Sequence, residues 1–164
     1  LKYLAESTDT PAHVLSAVLN ANEAQIAKAE QMVIESGEKK VGFVGISFKP
    51  GTDDLRESPL INLAARLIDK GVEVEVYDPF VQEAYDSGNP GAGRGNEGVP
   101  DLETRLVGDL DDMIERNGTV LVGNYYGDTI ERLKRAAKTQ KKVVDLTRLH
   151  RDMTTDDHYQ GICW

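Results

Sequence analysis

Cysteine is almost absent from this sequence: 164 residues contain only Cys163, one position from the last residue given. A single thiol forms no intrachain disulfide and builds no thiolate metal cluster. Long apolar runs are also missing. None approaches the roughly 18–20 residues that cross a bilayer, and the opening residues carry no signal-peptide pattern. Positive charge is in the minority, 19 Lys and Arg against 28 Asp and Glu, for a formal net charge of −9. Such a chain is a poor ligand for nucleic acid or anionic membranes, both of which need a broad basic surface. What remains, 40% apolar and 29% charged residues, is an ordinary globular composition with about one domain's length. The expectation is a soluble, cytoplasmic, metal-independent domain with no nucleic-acid or membrane partner.

The first segment reads as one long helix. Thr10-Pro11 offers an N-cap and a proline at the first helical position. Val14, Val18, Leu19, Ile26, Ala29, Met32 and Val33 then recur at helical spacing until Gly37 stops the run. About 25 residues make a rod of roughly 37 Å, longer than a domain of this size needs. Part of its apolar stripe is therefore expected to meet a second subunit or another domain. After Lys39 strands and helices alternate. Strands are expected at Val41–Ile46, Val72–Tyr77, Thr119–Gly123 and Lys142–Leu146, with a short addition at Arg105–Val107. Helices are expected from Ser58-Pro59 to Gly71, from Asp109 to about Asn117 and from Asp128 to Lys138. This alternation specifies an α/β fold, a Rossmann-like doubly wound parallel sheet preceded by one long connecting helix. The chain divides into 1–38, the helical connecting and dimerisation region, and 39–164, the sheet domain.

Between the second and third main strands, Ser87–Pro100 holds five of the fifteen glycines and reads as a flexible surface loop. Within it Gly93-Arg94-Gly95-Asn96-Glu97-Gly98 matches the dinucleotide pattern G-x-G-x-x-G. That pattern works only between a strand and a helix N-terminus. Here Pro100 follows, so no cofactor role is assigned to it.

Chemistry concentrates in Gly45-Ile46-Ser47-Phe48-Lys49-Pro50-Gly51-Thr52-Asp53-Asp54-Leu55-Arg56-Glu57-Ser58-Pro59. This stretch leaves the C-terminal end of the first strand, where open α/β sheets bind ligands. It is not a Walker loop, whose order sets glycine directly before lysine and Ser/Thr directly after. It carries two cations seven residues apart on a turn stiffened by Pro50. Lys49 is a point charge suited to phosphate or hydroxyl oxygens, and Arg56 a fork suited to a pyrophosphate. Asp53, Asp54 and Glu57 are placed to hold these cations. The plain alternative is a self-neutralised surface loop.

These fifteen residues closely resemble the signature loop in the C-terminal domain of the UDP-glucose/GDP-mannose dehydrogenase family. Asn20-Ala21-Asn22-Glu23 is similar to part of the family's connecting helix, and Gly161-Ile162-Cys163-Trp164 to the tail of its alginate-pathway branch, which oxidises GDP-mannose. The resemblance implies NAD-dependent oxidation of a nucleotide sugar's C6 alcohol to a carboxylate, in two steps through a cysteine nucleophile. It implies that Phe48 and Lys49 contact the sugar nucleotide and that Arg56 reaches NAD held on an N-terminal domain. Arg148, in Asp145-Leu146-Thr147-Arg148, resembles an Asp-x-Arg contact near the base, with one extra residue. A homodimer through the long helix is also implied.

The sequence departs from the family in holding neither its Gly-Gly-Ser-Cys-like motif nor its Rossmann fingerprint. Cys163 has no neighbouring base, so no catalytic residue and no metal ligand is assigned. His13, His150 and His158 read as surface residues. The chain is thus expected to be a C-terminal portion, inactive alone, whose partners are GDP-mannose or a related nucleotide sugar and an absent NAD-binding domain. Two other readings stay open: the same portion of a UDP-glucose oxidising enzyme, and a non-catalytic oligomerisation module built on the helix. Tyr125-Tyr126, after the third strand, face the crevice and either stack on a base or pack. A receiver-like domain around Asp53-Asp54 fails, because Lys141 and Lys142 stand at the head of the last predicted strand instead of after it.

Overall fold

The structure, a computed structural model, describes residues 7–8, 11–89, 92–95, 99–139 and 141–162. Helix α1 spans His13–Ser36 and ends on Gly37 in the left-handed conformation. It begins later than the Thr10-Pro11 signal predicts: Ala12 takes the cap position without a side-chain bond, and Thr10 lies outside the described residues. A helix end in solvent is capped by water, so a local signal places it only to within a turn.

Five parallel strands follow, β1 Lys40–Val44, β2 Glu73–Tyr77, β3 Thr119–Val122, β4 Lys142–Asp145 and β5 Tyr159–Gly161, in the spatial order β2-β1-β3-β4-β5. The order reverses between β1 and β3, so the loops leaving those two strands part and open a crevice. Strand residues alternate between two buried layers. Val41, Phe43, Val74, Leu121 and Val144 pack with α1 and with α2 (Pro59–Asp69) on one face. Val44, Val120, Val122 and Val143 pack on the other face with α5 (Leu110–Arg116) and α6 (Thr129–Lys138). Ser58 and Asp109 cap α2 and α5 through their side chains, as their sequence positions predict.

Three elements differ from the sequence reading. Asp78-Pro79 does not merely close β2; Asp78 caps α3, Pro79–Asp86, and Pro79 is its first residue. The predicted strand Arg105–Val107 is replaced by a one-turn helix, α4 (Leu102–Arg105), and a single parallel bridge from Leu106 to Val76. The chain touches the sheet edge there and turns at once into α5. Lys142–Asp145 is not the last strand, because β5 joins the sheet beyond it. Three residues carry too little pattern to signal a strand. What holds them is Asp145, fully buried, whose carboxylate accepts the Tyr159 hydroxyl and the amides of Thr147 at 2.8 Å and Leu149 at 2.6 Å.

Only the second half of α1 belongs to this core. Ala29 and Val33 are buried, and Arg66 of α2 pairs with Glu23 at 2.6 Å and Glu30 at 3.6 Å. Val14 (77% exposed) and Val18 (51%) face solvent. Fully burying such a side chain contributes about 1.5–3 kcal/mol, which the described residues do not supply at the helix start.

Removing the Asp145 carboxylate strands the buried Leu149 amide and Tyr159 hydroxyl and the half-buried Thr147 amide. Asp145→Ala is expected to cost about 2–4 kcal/mol in urea denaturation and to release β5; a change below about 0.5 kcal/mol removes the carboxylate from its anchoring role.

Candidate functional site

The loop from Gly45 to Ser58 lies at the strand-order reversal, as the sequence places it. Its first bend needs glycine. Gly45 sits at φ +74, and a Cβ there would stand 2.4 Å from the Asn124 Cβ at the end of β3. The loop's base is fixed by one carboxylate. Asp78 (1% exposed) accepts the amides of Ile46 at 3.0 Å and Ser47 at 3.2 Å on Oδ2, together with the Tyr126 hydroxyl at 2.9 Å. Its Oδ1 accepts the Phe80 and Val81 amides at the start of α3. The Asn124 side chain donates through Nδ2 to the Ser47 carbonyl at 2.8 Å, and the Ser58 hydroxyl to the Ile46 carbonyl at 2.8 Å. Four chain segments thus converge on the start of the loop.

From that base the loop projects outward. Phe48 N donates to the Asp54 carbonyl at 2.8 Å and closes a turn with Lys49, Pro50 and Gly51 exposed at its tip. Phe48 is 56% exposed and borders three cavities. One of about 330 Å³ runs along the strand ends between α1 and α2, with Gln25, Ile26, Asn124 and Thr147 in its wall. Another of about 660 Å³ extends it beside α1, past Asn22, Glu23 and Asn62. The third, about 640 Å³, lies between Phe48, Asp54, Arg56, Glu57 and Gly95.

The two predicted cations share one side of the molecule and one counter-charge. Arg56 grips Asp54 in a two-pronged pair, Nε to Oδ1 at 2.9 Å and Nη2 to Oδ2 at 2.8 Å. Asp54 also accepts the Arg56 amide, and it is held down to about 2 by the Arg56 side chain first, then that amide, with Lys49 adding a weaker pull. Lys49 makes no ion pair among the described residues and stands in the wall of none of the three cavities. Arg148 stands apart from this loop, exposed on the turn after β4, where Asp145 ties the residues on either side of it and it takes φ +60. Glu57, next to Arg56, sits at φ +58. Non-glycine residues in this region are strained and gather at functional sites.

Sequence reasoning named the projecting cations but missed what supports them. Asp78 carried a readable signal, an aspartate before proline at a helix start; its reach to Ile46 and Tyr126 crosses elements and carried none. Tyr126 packs: its ring lies against Phe80, centroids 5.4 Å apart, and its hydroxyl is spent on Asp78. Tyr125 stays 37% exposed. Among the described residues no cluster of His, Cys, Asp and Glu forms a metal site, and no helix is long and apolar enough to cross a membrane.

Burial raises the Tyr126 phenol well above its ordinary value, and the Asp78 charge adds to this. An acid harder to ionise folded than unfolded leaves stability intact below about pH 10, where unfolded tyrosine titrates, and erodes it above. Denaturation at about pH 9 and about pH 11 is expected to show that loss, and Tyr126→Phe to reduce its slope. Tyr77, also raised by burial, keeps a residual slope in the variant. An unchanged slope removes Tyr126 as its source.

Residues 42–151 match the UDP-glucose/GDP-mannose dehydrogenase family, UDP binding domain. Over its whole length the chain is 37% identical to GDP-mannose 6-dehydrogenase of Azotobacter vinelandii and 36% identical to that of Pseudomonas aeruginosa, and it spans 37% of each. Among solved structures it is similar to GDP-mannose dehydrogenase from Pseudomonas aeruginosa, seen as a ternary complex, with TM-score 0.84 and 33% identity over 99% of this chain and 37% of that one. It is also similar to a UDP-glucose dehydrogenase from Pyrobaculum islandicum, with TM-score 0.67 and 25% identity over 99% of this chain and 35% of that one. With its match to the UDP binding domain, its parallel sheet and its loop at the strand reversal, the chain belongs to the UDP-glucose/GDP-mannose dehydrogenase family.

Proposed function

We propose that this chain is the nucleotide-sugar-binding portion of an NAD-dependent GDP-mannose 6-dehydrogenase. Residues 1–38 then serve as the connecting and dimerisation region and 39–164 as the binding domain. The observation that carries the reading is the projecting turn: Phe48 borders the cavities at the strand reversal, Lys49 follows it exposed at the tip, and Arg56 walls the outer cavity that Phe48 also borders. The preference for guanosine over uridine rests on the relatives that align with the whole chain, whose names state GDP-mannose.

In this reading Phe48 lies against the nucleotide sugar and Lys49 meets a diphosphate or hydroxyl oxygen as a point charge. Arg56 suits NAD, because its planar fork fits a pyrophosphate. That fork is filled by Asp54 at rest, so the cofactor's phosphates would take the carboxylate's place. NAD supplies the hydride acceptor when bound; what this chain contributes is binding and orientation. Arg148, exposed on the turn after β4, would contact the nucleotide near its base. The only cysteine, Cys163, lies outside the described residues and is given no part, so the chain alone is expected to turn over no substrate.

Calorimetry with GDP tests the assignment. Weak binding is expected, since the other wall of the cleft belongs to a separate domain. Lys49→Ala is expected to weaken it about tenfold, the worth of one charge-assisted hydrogen bond. Equal binding by both proteins removes Lys49 from the site, and equal affinity for UDP removes the base preference.

A second reading, an oligomerisation module, is favoured by the uncovered start of α1. Sedimentation of the chain is expected to show a dimer that Val18→Asp dissociates. A monomer at high concentration, with α1 helical, rules that interface out.

A further inference from the structure

Described residues of the glycine-rich stretch 87–100 are tied to the body of the domain. Near its start the Asn89 amide donates to Asp53 Oδ2 at 3.3 Å. At its end Val99 (1% exposed) packs in the core that also holds Leu55 (0%). Between these tethers Gly95, at φ +90, lies on the peptide joining Leu55 to Arg56. A Cβ there would stand 2.4 Å from Arg56 N, 2.5 Å from Arg56 Cα and 2.7 Å from the Leu55 carbonyl carbon. Ordinary contact needs about 3.5 Å or more, and backbone cannot swing aside as a side chain does. The loop beneath has no slack to give. Leu55 is locked in the core, Glu57 is already left-handed, and Ser58 N is bonded to the Leu55 carbonyl at 3.1 Å as Ser58 caps α2. Gly95 also walls the two outer cavities that Phe48 borders.

We infer that Gly95, carried between the tethers at Asn89 and Val99, braces the Arg56 limb of the site, the positioning residue on whose missing side chain the placement of Arg56 depends. The geometric claim stands on the contacts above; its meaning for the cofactor rests on the proposed role of Arg56. The G-x-G-x-x-G match thus has a steric reason at Gly95 and needs no phosphate of its own.

The Asp54 carboxyl reports the brace directly, because its low titration near 2 depends first on the Arg56 side chain. Carboxyl NMR titration of Gly95→Ala is expected to show a rise of at least about one pH unit toward the ordinary aspartate value of about 3.9. Gly88→Ala is the control: Gly88 is left-handed at φ +66 with nothing near its Cβ position, so the variant strains the same loop without pushing Arg56. It is expected to leave Asp54 as it is. A folded Gly95→Ala with Asp54 still near 2, or an equal rise in Gly88→Ala, overturns the inference. Should Gly95→Ala not fold, Asn89→Ala cuts another tether without backbone strain. Faster amide exchange at Arg56 and Ser58, with β1 unchanged, then supports the brace, and unaltered exchange there overturns it. NAD titrated into the chain and followed at the Phe48 amide separates the two claims. Several-fold weaker response in Gly95→Ala, with the response lost in Arg56→Ala, is expected. If Arg56→Ala answers NAD as the original chain does, the cofactor role of Arg56 falls and the Asp54 titration alone decides the brace.

Discussion

The site depends on one buried carboxylate. Asp78 ends β2, starts α3, and accepts two amides from the loop after β1 and a hydroxyl from the loop after β3. Buried charge is costly unless every lone pair finds a donor, and here five donors from separate segments converge on it. The cost is what gives the arrangement its rigidity. No single segment satisfies the carboxylate, so the loop carrying Phe48 and Lys49 is held only when β2, α3 and the loop after β3 are all in place. The sheet does more than support the projecting turn; it dictates where that turn begins.

Beyond this base the control passes from hydrogen bonds to charge. Arg56 and Asp54 neutralise each other at the loop's outer end, where solvent screens the pair and leaves it little influence on stability. Its value is positional. A guanidinium lying in a carboxylate's fork is already oriented for another planar, two-oxygen anion. Lys49, which has no such partner among the described residues, is the more adaptable of the two. The projecting turn therefore has a rigid root, an arginine fork held by Asp54 and, in Lys49, a cation with no ion pair among the described residues.

How much of this the sequence disclosed depended on the range of the interaction. Buried strands, the Ser58 and Asp109 caps and the Gly37 stop follow from neighbours in the chain, and the fifteen-residue loop identified its family by itself. The helix at Pro79 was equally local, and was overlooked because an aspartate and a proline after a strand read as a terminator. Other features are invisible in one dimension. Tyr159 reaches Asp145, Asn124 crowds Gly45, and Gly95 presses on Arg56 across 39 positions of chain. In the last case the sequence even misled, since a phosphate-binding pattern and a steric clearance require the same glycine. Residue type suits Lys49 and Arg56 to anionic oxygens, whereas the ligand roles of Phe48, Lys49, Arg56 and Arg148 are what the family resemblance implies; the fold brings Phe48 and Arg56 to one cavity wall and leaves Arg148 on the separate turn after β4.

Helix α1 has two duties along one rod. Its middle turns, Asn22 to Ile26, form a wall of the groove beside Phe48, while Val14 and Val18 one to two turns earlier stand bare. Whatever grips those valines handles the same rigid body that shapes the cleft. Thermodynamic reciprocity then applies: if assembly on the helix alters affinity in the groove, a molecule lodged in the groove must alter assembly by the same factor.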